Sequence, residues 1–340
     1  MRNLPYLGLL LAFLSAPVAY GNGTLYTLSP YNVVVFGTFV DNCCDVGGAV
    51  AAESTVGTSA SSLAIASSLL GESLSNFSGN NDTLVTGGGV TGSGNYQLYA
   101  GNAYSHSTSH ITFNGTDSGG SVSTGSDPID FSTLQSSMQT ESANINTMAT
   151  SASGISCTSG SGSVEQTAAG SCMTYGSYGV EFTGTAGQTD YFNISGSYLA
   201  SGYTIDVYTN GGTVIVNVTG TLNTTSSAMY VNGSGANGDQ TTTAAEDVLF
   251  NYAGTHQVTL NTSFMGSLLA PKAAVLGTDN LQFDGNLVAA SFSGDTEFHN
   301  LLFEGGEEVP EPVSMFLIGS GLILLAWIGR RKRLSRGARR

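Results

Sequence analysis

The rhythm of short β-type clusters in the C-terminal half restricts the fold more than any other feature. Val248-Leu249-Phe250-Asn251-Tyr252, Gln257-Val258-Thr259-Leu260, Gly266-Ser267-Leu268-Leu269-Ala270-Pro271, Ala274-Val275-Leu276, Leu281-Gln282-Phe283, Gly285-Asn286-Leu287-Val288-Ala289-Ala290 and Glu297-Phe298-His299-Asn300 recur at spacings of about ten residues. Each is apolar or β-branched for too few residues to be a core helix, and Gly, Asn and Asp lie between them. One such cluster cannot bury a face alone, whereas stacked coils bury each against its neighbours. The expected fold is all-β, a right-handed parallel β-solenoid (β-helix) with one packed α-helix; a β-sandwich is the alternative.

The N-terminal half continues the pattern. Tyr31 to Val40 reads as one strand, and Asp45 to Thr55 carries paired glycines suited to a tight corner. The stretch after Ser59, ASSLAIASSLL, reads as either strand or short helix. Pro128-Ile129-Asp130-Phe131 opens the helix, which runs to about Ala149. Asp130 or Ser132 caps it, and Phe131, Leu134, Met138, Ile145 and Met148 share one face as core contacts. Tyr203 to Tyr208 alternates with period two, turns at Asn210-Gly211-Gly212 and returns as Thr213 to Val218, the pattern of a hairpin.

Both ends of the chain are of another kind. Residues 1–21 have a short cationic start, an apolar run from Leu4 to Leu14 and small residues up to Ala19-Tyr20-Gly21, as in a cleaved signal peptide. Residues 306–340 combine Pro310-Glu311-Pro312, an uncharged apolar run (313–329) and a basic tail (330–340) holding seven cations. The run makes a helix of roughly 25 Å, a short transmembrane span, and the cations hold the tail in the cytoplasm, with the body on the far side. The apolar run and basic tail alone would equally suit an ordinary C-terminal anchor. Pro310, Glu311 and Pro312 before a short hydrophobic helix and an Arg-rich terminus resemble the PEP-CTERM sorting signal. That resemblance implies an exosortase as partner, cutting near this motif after transient residence in the inner membrane.

The body, residues 22–305, also resembles a family. Tyr31 to Gly37 with Gly47-Gly48-Ala49-Val50-Ala51-Ala52, the Asp130-Phe131 helix, Val214 to Gly220, Gly266 to Pro271 and Gly285 to Ala289 through His299-Asn300 and Phe303 resemble the choice-of-anchor A family of bacterial surface proteins. The resemblance implies an adhesive β-helix whose members differ in their anchors. This sequence departs at Lys272, where the family usually has Asn, and in its cysteines.

Residues 22–309 keep Lys272 against 23 carboxylates, a net charge of −22. Such a surface repels nucleic acid, which is not expected as a partner. A uronate lyase would need Arg or Lys, and the body has no Arg and Lys272 alone. A polysaccharide hydrolase needs paired carboxylates; Asp279 with Asp284 and Asp295 with Glu297 are near in sequence, without more to single them out. His106 and His110 would share a strand face but have no third ligand, so they are read as solvated side chains. No metal or cofactor is expected beyond weak structural Ca²⁺ in Asp- and Asn-bearing turns. Of the cysteines, Cys157 and Cys172 are the expected disulfide, closing a loop worth about 3 kcal/mol. The other arrangement joins each of Cys43 and Cys44 to one of that pair, since adjacent cysteines rarely bond each other. The expected function is adhesion or structural support within extracellular polysaccharide at the cell surface, through hydroxyl, amide and carboxylate contacts to glycans. The alternatives are a β-helix hydrolase and an ice-binding protein, the latter with Thr ladders that are irregular here.

Overall fold

The computed structural model describes residues 30–305 apart from 115–119, 152–162, 166–171, 177–178, 200–203, 225–227, 237–241 and 279. The sorting motif Pro310, Glu311 and Pro312, the apolar run 313–329, the signal segment and Cys157 lie outside the described residues, as does the side chain of Cys172. No helix among the described residues is long and apolar enough to cross a membrane.

Most of the described strands stack in parallel ladders that make three faces, the arrangement of a β-solenoid; the pairs of Cys172–Gly176 with Ser163–Glu165 and Gly179–Thr183, and of Met229–Val231 with Ser234–Gly235, are antiparallel. On one face the strands lie in the order Thr189–Ser195, Thr213–Thr219, Val248–Asn251, Ser267–Gly277, Leu287–Gly294, Tyr31–Val35, Ala49–Ala52, Asp82–Thr86, Asn102–Ser105, Val122–Ser123. The first strand therefore sits in the middle. From Tyr31–Val35 the chain winds outward to one end, α1 (Phe131–Ser151) carries it back, and the second half starts at the other end. That half winds inward until Leu287–Gly294 pairs with Tyr31–Val35 through Val33–Leu287, Val34–Val288 and Val35–Ala289. This pairing is a seam between coils far apart in sequence. A sandwich would have antiparallel ladders on these faces.

Inward side chains explain why the coils stack. Phe264, Phe283, Phe298, Phe39 and Phe292 are all buried, and ring centroids are 5.1 Å apart for Phe264–Phe283, 5.2 Å for Phe283–Phe298 and 5.3 Å for Phe39–Phe292. The aromatic column crosses the seam, since Phe39 lies 6.0 Å from Phe298. Each buried Phe contributes about 1.5–3 kcal/mol by leaving water.

Corners set where one face ends. The expected single strand from Tyr31 to Val40 is bent into Tyr31–Val35 and Phe39–Asp41, which lie on different faces. Gly48 makes the next corner, where a Cβ would come within 2.5 Å of Asn300 Oδ1 and 2.6 Å of Asn32 Cβ. The segment after Ser59 forms a strand, Ser62–Ile65, followed by a single 3₁₀ turn. The expected hairpin does not form. Thr204–Tyr208 pairs in parallel with Gly179–Thr183 and Met229–Val231, and Thr213–Thr219 with Thr189–Ser195 and Val248–Asn251. Asn210 and Gly211, at φ 52° and 78°, turn the chain between faces instead. Positive-φ residues serve a corner as well as a hairpin, so the sequence signal is the same.

α1 forms as its spacing predicts. Asp130 Oδ1 accepts from Thr133 N at 3.0 Å and Oδ2 from Thr133 Oγ1 at 2.7 Å, which satisfies the first turn. Phe131, Met138 and Ile145 are buried, with Leu134 and Met148 packed alongside. The helix covers the second-half end of the first face, where the outward row is Asn193, Asn217 and Asn251. Asn217 Nδ2 donates to Asn193 Oδ1 at 2.7 Å and to Asn146 Oδ1 of the helix at 3.0 Å. Asn251 Nδ2 donates to Asn217 Oδ1 at 2.8 Å and Ser142 O at 2.9 Å. This ladder supplies the polar bonds that a sheet outer surface needs once a helix removes it from water.

Candidate binding face

The second face stays open to solvent. Its strands are Asn223–Thr224, Val258–Leu260, the later part of Ser267–Gly277, the later part of Leu287–Gly294, Phe39–Asp41, Thr55–Thr58 and Gly89–Gly92. Alternation sends Phe39, Val56, Val258 and Phe292 inward and leaves small or polar side chains outside. Register aligns the middle outward row as Asn223, Thr259, Leu276, Ser293, Val40, Gly57 and Thr91. Beside it Ala274 stands level with Ser291, and Thr55 Oγ1 donates to Thr38 Oγ1 at 3.3 Å. Along the far border Ser59 Oγ donates to Asn42 Oδ1 at 2.8 Å and Asn261 Nδ2 to Asn223 Oδ1 at 3.0 Å.

This face is flat because its ladders are parallel and in register, and it carries few charges. Among the described residues Lys272 is exposed on the same side of its strand as Ala274 and Leu276, and Asp295 stands at the border, whereas residues 22–309 as a whole have a net charge of −22. A surface of methyl, hydroxyl and amide groups has little Coulomb preference and binds through shape and many weak hydrogen bonds. The middle row mixes Thr, Ser, Leu, Val and Gly, so Thr does not repeat from coil to coil.

The carboxylates and imidazoles singled out in the sequence are placed elsewhere. Asp284 is fully buried with Oδ1 2.5 Å from His299 Nδ1, and Glu297 Oε1 is 3.5 Å from His299 Nε2. The hydrogen bond to Asp284 holds the imidazole above its usual range, against burial, and Glu297 adds to it. Asp279 lies outside the described residues. Asp295 and Glu297 flank inward-facing Thr296, and the partner of Glu297 is the imidazole rather than a carboxylate across a cleft. His106 and His110 do not share a strand: both follow Asn102–Ser105, His110 at φ 65°, and His106 Nε2 lies 3.1 Å from Tyr104 Oη. Among the described residues no three His, Cys, Asp or Glu side chains gather as a metal site. A groove of about 360 Å³ by Tyr230, Met229 and Ser263 has no carboxylate, imidazole or amine among the described residues that line it.

Two features were not foreseen. Cys43 and Cys44 are disulfide-bonded to each other, against the expectation for adjacent cysteines. They occupy the corner between Phe39–Asp41 and Asp45–Val46, where the chain changes face and a compact ring fits the turn. Asp41 is buried at the seam, where burial pushes its carboxyl up to about 7. The burial of Asp41 has no spacing signal, because it depends on coils brought together only by the closure of the solenoid, whereas the disulfide is a local feature of the corner.

A family model described as "Putative Ice-binding-like adhesive domain" matches residues 24–300. No curated protein matches the chain. Two solved structures are similar: an ice binding protein from an Antarctic bacterium, Flavobacteriaceae, with 13% identity and a TM-score of 0.36, and an ice binding protein from an Antarctic biological consortium, with 10% identity and a TM-score of 0.30. The first similarity covers 82% of this chain and 47% of that one, so the chain spans less than half the length of that protein. The second covers 80% of this chain and 87% of the other.

Proposed function

Because the chain belongs to the ice-binding-like adhesive domain family over residues 24–300, we propose that its body is a non-enzymatic adhesive module that works outside the cell through the open face. The carrying observation is that face's low charge, with Lys272 and Asp295 toward its borders and a middle row of uncharged side chains, which suits an uncharged, extended partner such as a neutral polysaccharide of the surrounding matrix. We further propose that the chain is a choice-of-anchor A protein, exported by residues 1–21, held briefly in the inner membrane by 313–329 and parted from its tail by an exosortase at Pro310-Glu311-Pro312.

A glycan array that includes neutral and acidic polymers tests the adhesive reading: retention on neutral glycans without release of reducing sugar supports it, and sugar release would assign a hydrolase. Ice is the second reading, favoured by the same flat surface and its uncharged middle row, and thermal hysteresis of the purified body would select it. Mixed side chains in the middle row make the match to a crystal lattice poorer than repeated Thr would, which places ice second. For sorting, Glu311→Ala followed by mass spectrometry of the mature C-terminus is decisive. Retention of the tail is the expected result, and unchanged cleavage at the same position would refute the motif.

A further inference from the structure

We propose that Asp41 is a proton-operated clasp on the seam: as a neutral carboxyl it holds the two halves of the solenoid together, and as a carboxylate it loosens them. The seam is stitched by buried amides, with Asn32 Nδ2 donating to Gly285 O at 2.6 Å and Asn286 Nδ2 to Tyr31 O at 2.7 Å. Asp41 is the acid among these crossing side chains. It comes from the first half, stands level with Gly294 and is fully buried. Its Oδ1 accepts from Thr296 N of the second half at 3.2 Å and from Cys43 N at 3.3 Å. Its Oδ2 is buried without a hydrogen-bond partner.

The charged groups facing it are Asp45, beyond the disulfide corner, and Asp295, beside Thr296. Thr55–Thr58 on its other side has no titratable side chain. Burial opposes the charged form most and the two carboxylates add to it, against the N–H groups of Thr296 and Cys43, which leaves the pKa at about 7. Proton loss puts an unpaired charge between the halves, in the coil where Val40 meets Ser293. The seam thus crosses the middle row of the open face. If that face binds as proposed above, adhesion weakens as the pH rises toward neutral and levels off above it; the clasp itself is tested without a ligand.

Amide hydrogen exchange of the purified body, corrected for intrinsic rates, reads the clasp directly. Seam amides of Thr296, Phe36 and Asn42 are compared at pH 5.5 and pH 8.5 with Glu53 and Gly87, which bond within the first half. We expect seam protection to fall by about tenfold or more, since it is lost at about one decade per pH unit as the pH rises toward the pKa and levels off above it, with Glu53 and Gly87 unchanged. Asp41→Asn, which keeps Oδ1 and cannot ionise, should remove the difference. Equal seam protection at both pH values in the unaltered protein, or an equal loss at Glu53 and Gly87, would overturn the proposal whether or not the variant folds.

Discussion

At the scale of single residues, buried polar groups decide more than exposed ones. Asn251→Ala leaves Asn217 Oδ1 and Ser142 O without their donor beneath α1 and should destabilise by about 1–3 kcal/mol in chemical unfolding. Phe298→Ala, in the aromatic column beside the seam, should cost about 3–5 kcal/mol. Equal effects from Gln97→Ala, on a half-buried outward position, would contradict this ranking. Their legibility in the sequence differs. Phe298 is apparent as the centre of an apolar cluster, but Asn193, Asn217 and Asn251 look like ordinary solvated positions because nothing local announces the helix that covers them. The same holds for Asp41, whose burial arises from a segment about 250 residues away.

At the scale of elements, local chemistry was readable where one element satisfies itself. α1 has its cap in Asp130 and its buried stripe in Phe131, Met138 and Ile145, all at helical spacing. Met138→Ala should lower stability by about 2–5 kcal/mol and release α1 before the coils, seen as early loss of helical circular dichroism on heating. Strand positions were equally plain, yet partners were not: Tyr203 to Val218 carries the alternation and turn residues of a hairpin, and only coil stacking decides that each arm pairs with other strands. The bend at Phe36–Thr38 is hidden for a related reason, since an unbroken β-branched run does not mark a corner.

At the scale of the whole molecule, the coil order and the charge distribution matter most. The sequence shows that coils stack; that the chain enters at the middle and closes on itself needs the ladder of Val33 with Leu287. Burial raises the carboxyls of Asp41, Asp82, Glu141, Asp206, Glu246 and Asp247, and its hydrogen bond to Asp284 raises His299. The folded body therefore binds more protons than the unfolded chain between the ordinary carboxylate range and about pH 7. Stability should rise as pH falls from 8 toward 5, and a melting temperature that is flat or lower at pH 5 would refute the inventory. Asp130, held low by its hydrogen bonds to Thr133, acts oppositely only at more acidic pH. Adhesion through the open face is tested most directly on a neutral-glycan array with Ser293→Arg, in the middle of that face, and Gln97→Arg, on the third face. The expected result is at least about a tenfold loss of binding for Ser293→Arg alone, and equal binding by both variants would contradict the assignment of that face.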